Sequence, residues 1–350
     1  MIEEQMDDLS VNDEKDELYE HFNFEVDKGQ GLTRMDKYLM GLIPNTSRNK
    51  IQNAVKANCI LVNGNPEKSN YRVKPLDKIS VLMAHPPREI EILPEDIPLN
   101  IVYEDDDVIL INKEPGLVVH PGYGNYTGTL VNALTFRFLG QKTKNGDDVK
   151  PYLVHRIDKN TSGIIIVAKN EFAQIHLAKQ FFNHTIDRKY YALVWGDFKE
   201  DEGTIDVHVG RNPKDRLVMT TFPEGDQGRN AITHWKVVER FGYVTLIECV
   251  LETGRTHQIR IHLKSIGHPL FNDTTYGGNE IIKGTTFSKY RQYIKNCFDI
   301  IPRHALHAKQ LGFVHPGTEE YTFFNSELPT DMQTVIDKWR AYSRHKEMEE

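Results

Sequence analysis

Apolar positions recur at helical spacing at Met35, Leu39 and Leu42. They recur again at Ile51, Ala54 and Val55, behind a serine (Ser47) placed to cap them, so two short helices are predicted, the first stopped by Pro44. Ile60-Leu61-Val62 runs into an Asn63-Gly64 turn, and Lys78-Ile79-Ser80-Val81 follows the turn Pro75-Leu76-Asp77, which adds a small sheet. A stretch containing Pro86, Pro87, Pro94 and Pro98 then interrupts the pattern. Beyond it strand-like runs dominate, at 101–103, 108–111, 116–119, 164–168, 190–195, 203–209, 231–239 and 244–251, with helices expected near 171–183 and 257–266. Because the joins lack regular crossover helices, the larger sheet is expected to be mixed and mainly antiparallel, an α+β arrangement with peripheral helices. No internal repeat is visible.

At 350 residues and 39% hydrophobic content the chain can build one large domain and a small one. A net charge of −7 argues at first against a phosphate-rich partner. The distribution of that charge argues the other way. Residues 1–20 carry acids against Lys15 alone, so 1–30 is expected to be an acidic, disordered tail. Residues 31–90 are basic, with Arg34, Lys37, Arg48, Lys50 and Lys56 on the two helices. The division expected is therefore 1–30 tail, 31–90 basic module, 91–99 linker and 100–340 main domain. Cys59, Cys249 and Cys297 are isolated, which suggests neither a disulfide framework nor a cysteine zinc site. No apolar run approaches the roughly 20 residues that span a bilayer, and the acidic start is unlike a secretory signal, so a cytoplasmic protein is expected.

Three stretches could carry chemistry. In His155-Arg156-Ile157-Asp158-Lys159-Asn160-Thr161-Ser162-Gly163 a carboxylate flanked by cations sits in a loop anchored on the apolar run Ile164–Ala168. A partner arginine is expected, because burial against a strand would otherwise blunt the acid; turn chemistry is the plain alternative. In Leu251-Glu252-Thr253-Gly254-Arg255-Thr256-His257-Gln258-Ile259-Arg260, Thr256 is a plausible helix cap, Gly267 a plausible stop, and Arg255 the natural counter-ion for Asp158. In Arg188-Lys189-Tyr190-Tyr191-Ala192, strand alternation lets only one tyrosine face a given side. Clusters among the 15 histidines lack metal-ligand spacing, so no metal is expected. His120-Pro121-Gly122-Tyr123-Gly124-Asn125 lacks phosphate-loop spacing, and Asp105-Asp106-Asp107 reads as an exposed turn rather than half of a two-carboxylate glycosidase.

The nine-residue loop resembles the catalytic loop of the RluA/RluD-type pseudouridine synthases, with only Ile157 departing from the pattern. The tyrosine strand ending in Trp195-Gly196 and the Gly254–Arg260 motif follow in that family's order, and Tyr276-Gly277-Gly278 with Arg303-His304-Ala305-Leu306-His307-Ala308 resembles its RluD-like members. Residues 31–90, with Arg-Met-Asp-Lys-Tyr-Leu, Ser-Arg-Asn-Lys-Ile-Gln and Ile-Leu-Val-Asn-Gly, resemble an S4 RNA-binding domain. The resemblance implies a pseudouridine synthase fold with a central cleft and isomerisation of uridine, most of all in large-subunit ribosomal RNA, without cofactor. It implies Asp158 as catalytic carboxylate, Arg255 as its partner and Tyr190 as the active-site tyrosine. Arg156 is then expected to enter the RNA stack as the base flips, His155 and Thr161 to hold the loop, and Thr256, His257 and Arg260 to support or touch substrate. A monomer bound to RNA is the expected working form. Two rival classes stay open: an inactive RNA-binding assembly factor, and a metal- or carboxylate-dependent hydrolase.

Overall fold

The computed structural model describes residues 19–43, 46–83, 92–121, 125–213 and 218–349. Expectations for residues 1–18, Pro44, Pro86-Pro87 and Gly122-Tyr123-Gly124 lie outside them. The chain divides into two units, Met1–Glu91 and Ile92–Glu350.

In the smaller unit β1 (Tyr19–Glu25) is followed by α1 (Met35–Leu42), α2 (Arg48–Lys56), β2 (Ile60–Val62), β3 (Asn65–Pro66) and β4 (Lys78–Met83), with strand order β1-β4-β2-β3. Ser47 caps α2 by accepting from the Lys50 amide, as expected. The tail expectation fails for residues 19–30. Acidic composition hid a period-two pattern in which Phe22, Phe24 and Val26 face the core made by Met35, Leu39, Ile51, Ile60 and Ile79. Asp36, wholly buried, accepts from Arg34, Arg48 and Gln52, and the Arg34 hydrogen bond leads in holding its carboxyl far below the usual carboxylate range.

The larger unit does not begin with a free linker. Within 92–99 the Leu93 carbonyl accepts from Asn132, and the Glu95 carboxylate accepts from the Gly128 amide at 3.0 Å. Then come β5 (Ile101–Glu104), β6 (Val108–Lys113), α3 (Leu130–Arg137), β7 (Tyr152–Leu153), β8 (Ser162–Ala168), α4 (Glu171–Phe182), β9 (Asp187–Trp195), β10 (Glu202–Asp206), β11 (His208–Arg211), β12 (Met219–Phe222), β13 (Ile232–Arg240), β14 (Val244–Leu251), α5 (Gln258–Ser265), α6 (Ser288–Ile300), β15 (Leu306–Val314), β16 (Tyr321–Asn325) and α7 (Thr330–Glu349). The main sheet runs β10-β13-β14-β9-β15-β8-β6-β5, with β16 on β15 and β7 on β8. All of its pairings among the described residues are antiparallel except β15 with β8. Residues 116–119, expected as a strand, make only an isolated bridge from Val118 to Thr129, and 203–209 splits between the main sheet and the β11–β12 ribbon.

β8 lies inside the sheet and all seven of its residues are buried, which is what an unbroken Ile-Ile-Ile-Val run demands. Burying each such side chain contributes about 1.5–3 kcal/mol, so the strand is a stiff anchor for whatever precedes it. Gly163 at its start has φ +113°, and a β-carbon there would overlap the Ala308 carbonyl of β15. Only glycine lets the loop enter the strand at this point.

Candidate active site

The loop before β8 hangs Asp158 over a cleft of about 590 Å³ lined by Arg156, Tyr190, Leu251, Arg255, Thr256, His257, Ile259 and Arg260, among others. The side chain keeps 24% exposure, enough to meet a ligand. Its cation is Arg260. Nη1 of Arg260 donates to Asp158 Oδ2 at 3.1 Å, while Nε and Nη2 fork onto Asp273 at 2.7 and 2.9 Å. The guanidinium is nearly fully buried and lies over the Tyr276 ring at 5.0 Å, so both its plane and its position are set. Asp273 is fully buried and also accepts from the Thr275 and Tyr276 amides. Burial alone would raise its pKa, but Arg260, with the Tyr276 amide adding, outweighs burial and holds it below the usual range.

Arg255 does not pair with Asp158. Its Nε donates to the Asn230 carbonyl at 3.2 Å. The physical reason is the start of α5: His257, with φ +54°, turns the chain in the left-handed region immediately before Gln258, so residues ahead of that turn diverge from the helix face carrying Arg260. Thr256 is correspondingly not the cap. It is exposed on the rim, whereas Gln258 Oε1 accepts from the Arg255 amide and the Thr253 hydroxyl. Gly267, φ +86°, ends the helix region in the expected way.

Tyr190 lines the cleft and shares its strand face with the core residues Ala192 and Val194, while Tyr191 packs on the opposite side with Leu193 and Trp195. Burial pushes the Tyr190 phenol up, Arg188 opposes this and Asp158 adds to it, so the ring keeps its proton at neutral pH. His257 lies between: its Nε2 is 3.9 Å from Asp158 Oδ2 and its Nδ1 meets the Tyr276 hydroxyl at 2.8 Å. Burial lowers its pKa.

Residues 107–265 match the family described as RNA pseudouridylate synthase. An uncharacterized RNA pseudouridine synthase of Chlorobaculum parvum is 47% identical over 320 residues, covering 91% of this chain and 97% of that protein. The ribosomal large subunit pseudouridine synthase D of Zymomonas mobilis is 38% identical over 305 residues, covering 87% and 92%. The chain belongs to the RNA pseudouridine synthases. It is an isomerase acting on uridine in RNA. The fold of this synthase also matches the solved human RNA Pseudouridylate Synthase Domain Containing 4, at TM-score 0.52 and 21% identity over 69% of this chain and 93% of that one.

The remaining residues expected at the synthase's site divide into rim and scaffold. Arg156 is exposed on the rim. His155 accepts from the Ile166 amide at 3.0 Å and stacks on Phe181, and burial lowers its pKa to about 3, so it is a neutral brace. The Thr161 hydroxyl meets His304 Nε2 at 2.9 Å, and Ser162 meets His307 Nδ1 at 3.0 Å. Burial lowers those histidines to about 3 and about 4. Both therefore brace the loop uncharged.

Two bracing residues carry no expectation from the sequence. Arg303 forks onto Asp331 of α7 at 2.8 and 3.0 Å and donates from Nη1 to the Asn160 carbonyl, tying the Asp158 loop to the last helix. Lys113, at the buried end of β6, donates to the carbonyls of Glu114, Leu117 and Lys159 at 2.8 to 3.0 Å. Burial, with Arg303 adding, brings its pKa down to about 7 while Asp158 opposes this; three carbonyl acceptors match the three donors of the ammonium. The available signal was a lysine closing a strand that opens on the apolar run Val108–Ile111, two residues before Pro115-Gly116. Lys113→Met is expected to orphan those carbonyls, cost about 1–3 kcal/mol and lower the melting temperature measured by calorimetry. With the Asp158 loop loosened, kcat is expected to fall at least tenfold as measured by tritium release. An unchanged kcat would mean that the loop holds its shape without the lysine.

Proposed function

We propose that this synthase isomerises uridines of large-subunit ribosomal RNA, with Asp158 as the catalytic carboxylate. The bond from ribose C1′ to uracil N1 breaks, the base turns, and C1′ joins C5; the C5 proton leaves and N1 gains one, so nothing is oxidised or lost. The observation that carries the reading is the ordered set Asp158–Arg260–Asp273 beside Tyr190 at one cleft. Arg260 holds the carboxylate aimed whether it attacks the sugar or the base. Tyr190 offers a ring on which the detached uracil stacks and a protonated phenol for proton transfer. Arg156, on the rim, is suited to fill the gap in the RNA stack as the uridine flips.

Residues 31–90 act in this reading as an S4-type RNA-binding module, with the chain working as a cytoplasmic monomer. Among the described residues no helix is long and apolar enough to cross a membrane. On the module, Lys37 and Lys56 are exposed, whereas Arg34 and Arg48 hold Asp36 and present their remaining donors from a fixed position. Lys37→Glu with Lys56→Glu is expected to weaken RNA retention on filters and flatten its salt dependence by a slope of about 0.7–0.9 per lost phosphate contact. Turnover at saturating RNA is expected to change little. An unaltered salt slope would remove these lysines from the RNA contact.

The reaction itself is tested by incubating in-vitro-transcribed large-subunit ribosomal RNA with the protein in EDTA and mapping pseudouridine by carbodiimide primer-extension stops. New stops at discrete uridines are expected. RNA retention without any stop would support the inactive assembly factor instead.

A further inference from the structure

α4 leaves β8 and returns toward the cleft, and its faces are unequal. Ala173, Leu177 and Gln180 are buried against the sheet. Successive residues of an α-helix turn by about 100°, so Phe172, Ile175, Lys179 and Phe182 fall within one stripe about 80° wide on the opposite side. That side is open: Phe172 is 62%, Ile175 70% and Phe182 83% exposed. Large apolar side chains grouped at such exposure mark a surface that meets something.

Continuity with the cleft says what that is. Phe182 and His184 line the same cavity as Asp158 and Tyr190, so the stripe begins at the mouth of the catalytic site and runs outward along α4. The ten steps from Phe172 to Phe182 rise about 15 Å, the reach of a few nucleotides. A uridine placed at Asp158 brings its neighbours in the strand to that mouth, because consecutive nucleotides are covalently joined. Unpaired bases next to a flipped nucleotide have lost one stacking partner, and an exposed phenyl ring replaces it at little ordering cost. Lys179 on the stripe provides the positive charge that a phosphate backbone requires.

We propose that the Phe182–Phe172 face of α4 is a stacking platform for the nucleotides flanking the target uridine, with Phe182 carrying the adjacent base. This rests on the reading of the chain as an RNA-modifying enzyme and adds which part of the RNA is held outside the catalytic pocket, and by what. An apolar protein partner is the competing occupant.

Phe182 is so exposed that its replacement leaves the core intact, so Phe182→Ala, Phe182→Leu and Phe182→Trp can be compared in the full-length protein. The probe is in-vitro-transcribed large-subunit ribosomal RNA, 5-tritiated at uridine, with affinity read by filter retention and turnover by tritium release. Phe182→Ala is expected to raise KM and the dissociation constant about five- to hundredfold, the span found for single base–aromatic stacks, and to move kcat far less. Phe182→Trp is expected to bind at least as tightly as the parent. Phe182→Leu, apolar but without a π-face, is expected to resemble alanine. Wild-type affinity in Phe182→Ala overturns the platform and leaves the face to a protein partner; rescue by leucine equal to that by tryptophan overturns stacking. If the parent protein releases no tritium the isomerase reading fails by itself, and the filter series still decides whether RNA lies on Phe182.

Discussion

Asp158→Asn is expected to fold like the parent and form no pseudouridine. The amide keeps the shape of the carboxylate and can still accept the 3.1 Å hydrogen bond from Arg260, so the loop, its glycine entry and the cleft stay as they are. What disappears is the negative charge that either route of attack needs. Positioned acid–base groups contribute about 10²–10⁴-fold, and loss of a nucleophile costs at least as much, so residual tritium release should lie below about one hundredth of the parent's. Unchanged melting together with turnover above that level would remove Asp158 from the chemical step.

The second large effect belongs to Arg260→Met. One guanidinium serves two carboxylates, of which Asp273 is fully buried, and removing one partner of a buried pair costs about 3–5 kcal/mol. Loss of aim and charge balance at Asp158 is expected to lower kcat by about 10²–10³-fold as well. The stability loss has a pH signature. In the parent, Asp273 is held below its unfolded pKa, so its contribution is complete above the ordinary carboxylate range and is lost as pH falls through the lowered value. In Arg260→Met burial acts on Asp273 without its main offset, its pKa rises, and folding then forces protonation or leaves a bare buried charge. The gap in melting temperature between variant and parent is therefore expected to be wide at pH 8 and to narrow toward pH 4.5, as calorimetry across that range would read. Arg255→Met, losing only a bond to the Asn230 carbonyl, is expected to leave melting unchanged and kcat far closer to the parent. The reverse ranking of the two arginine variants would return the counter-ion role to Arg255.

Those two arginines mark the boundary between local and tertiary information. Strand alternation put Tyr190 and Tyr191 on opposite faces, because a period of two needs no partner to be read, and the family resemblance then picked Tyr190. The buried run Ile164–Ala168, the Ser47 cap and the preference for antiparallel pairing were legible for the same reason: each is decided by neighbours within a few residues. The acidic start misled, since composition was weighed over 20 residues while the Phe22-Phe24-Val26 alternation covers five. Which arginine meets Asp158 was beyond sequence, because the two are five residues apart and a single left-handed residue, His257, sets which way each side chain points. Lys113, Arg303 and the histidines behind Thr161 and Ser162 join segments up to 145 residues apart, and the acceptors they serve are mostly backbone carbonyls, or side chains whose partners only folding supplies. Local periodicity made the strand behind the Asp158 loop legible, while the choice of Asp158 and of Tyr190 as site residues came from the family resemblance. The counter-ion and the braces came with the fold alone, since a carbonyl looks the same in every sequence and becomes a specific acceptor only when folding brings a buried donor to it.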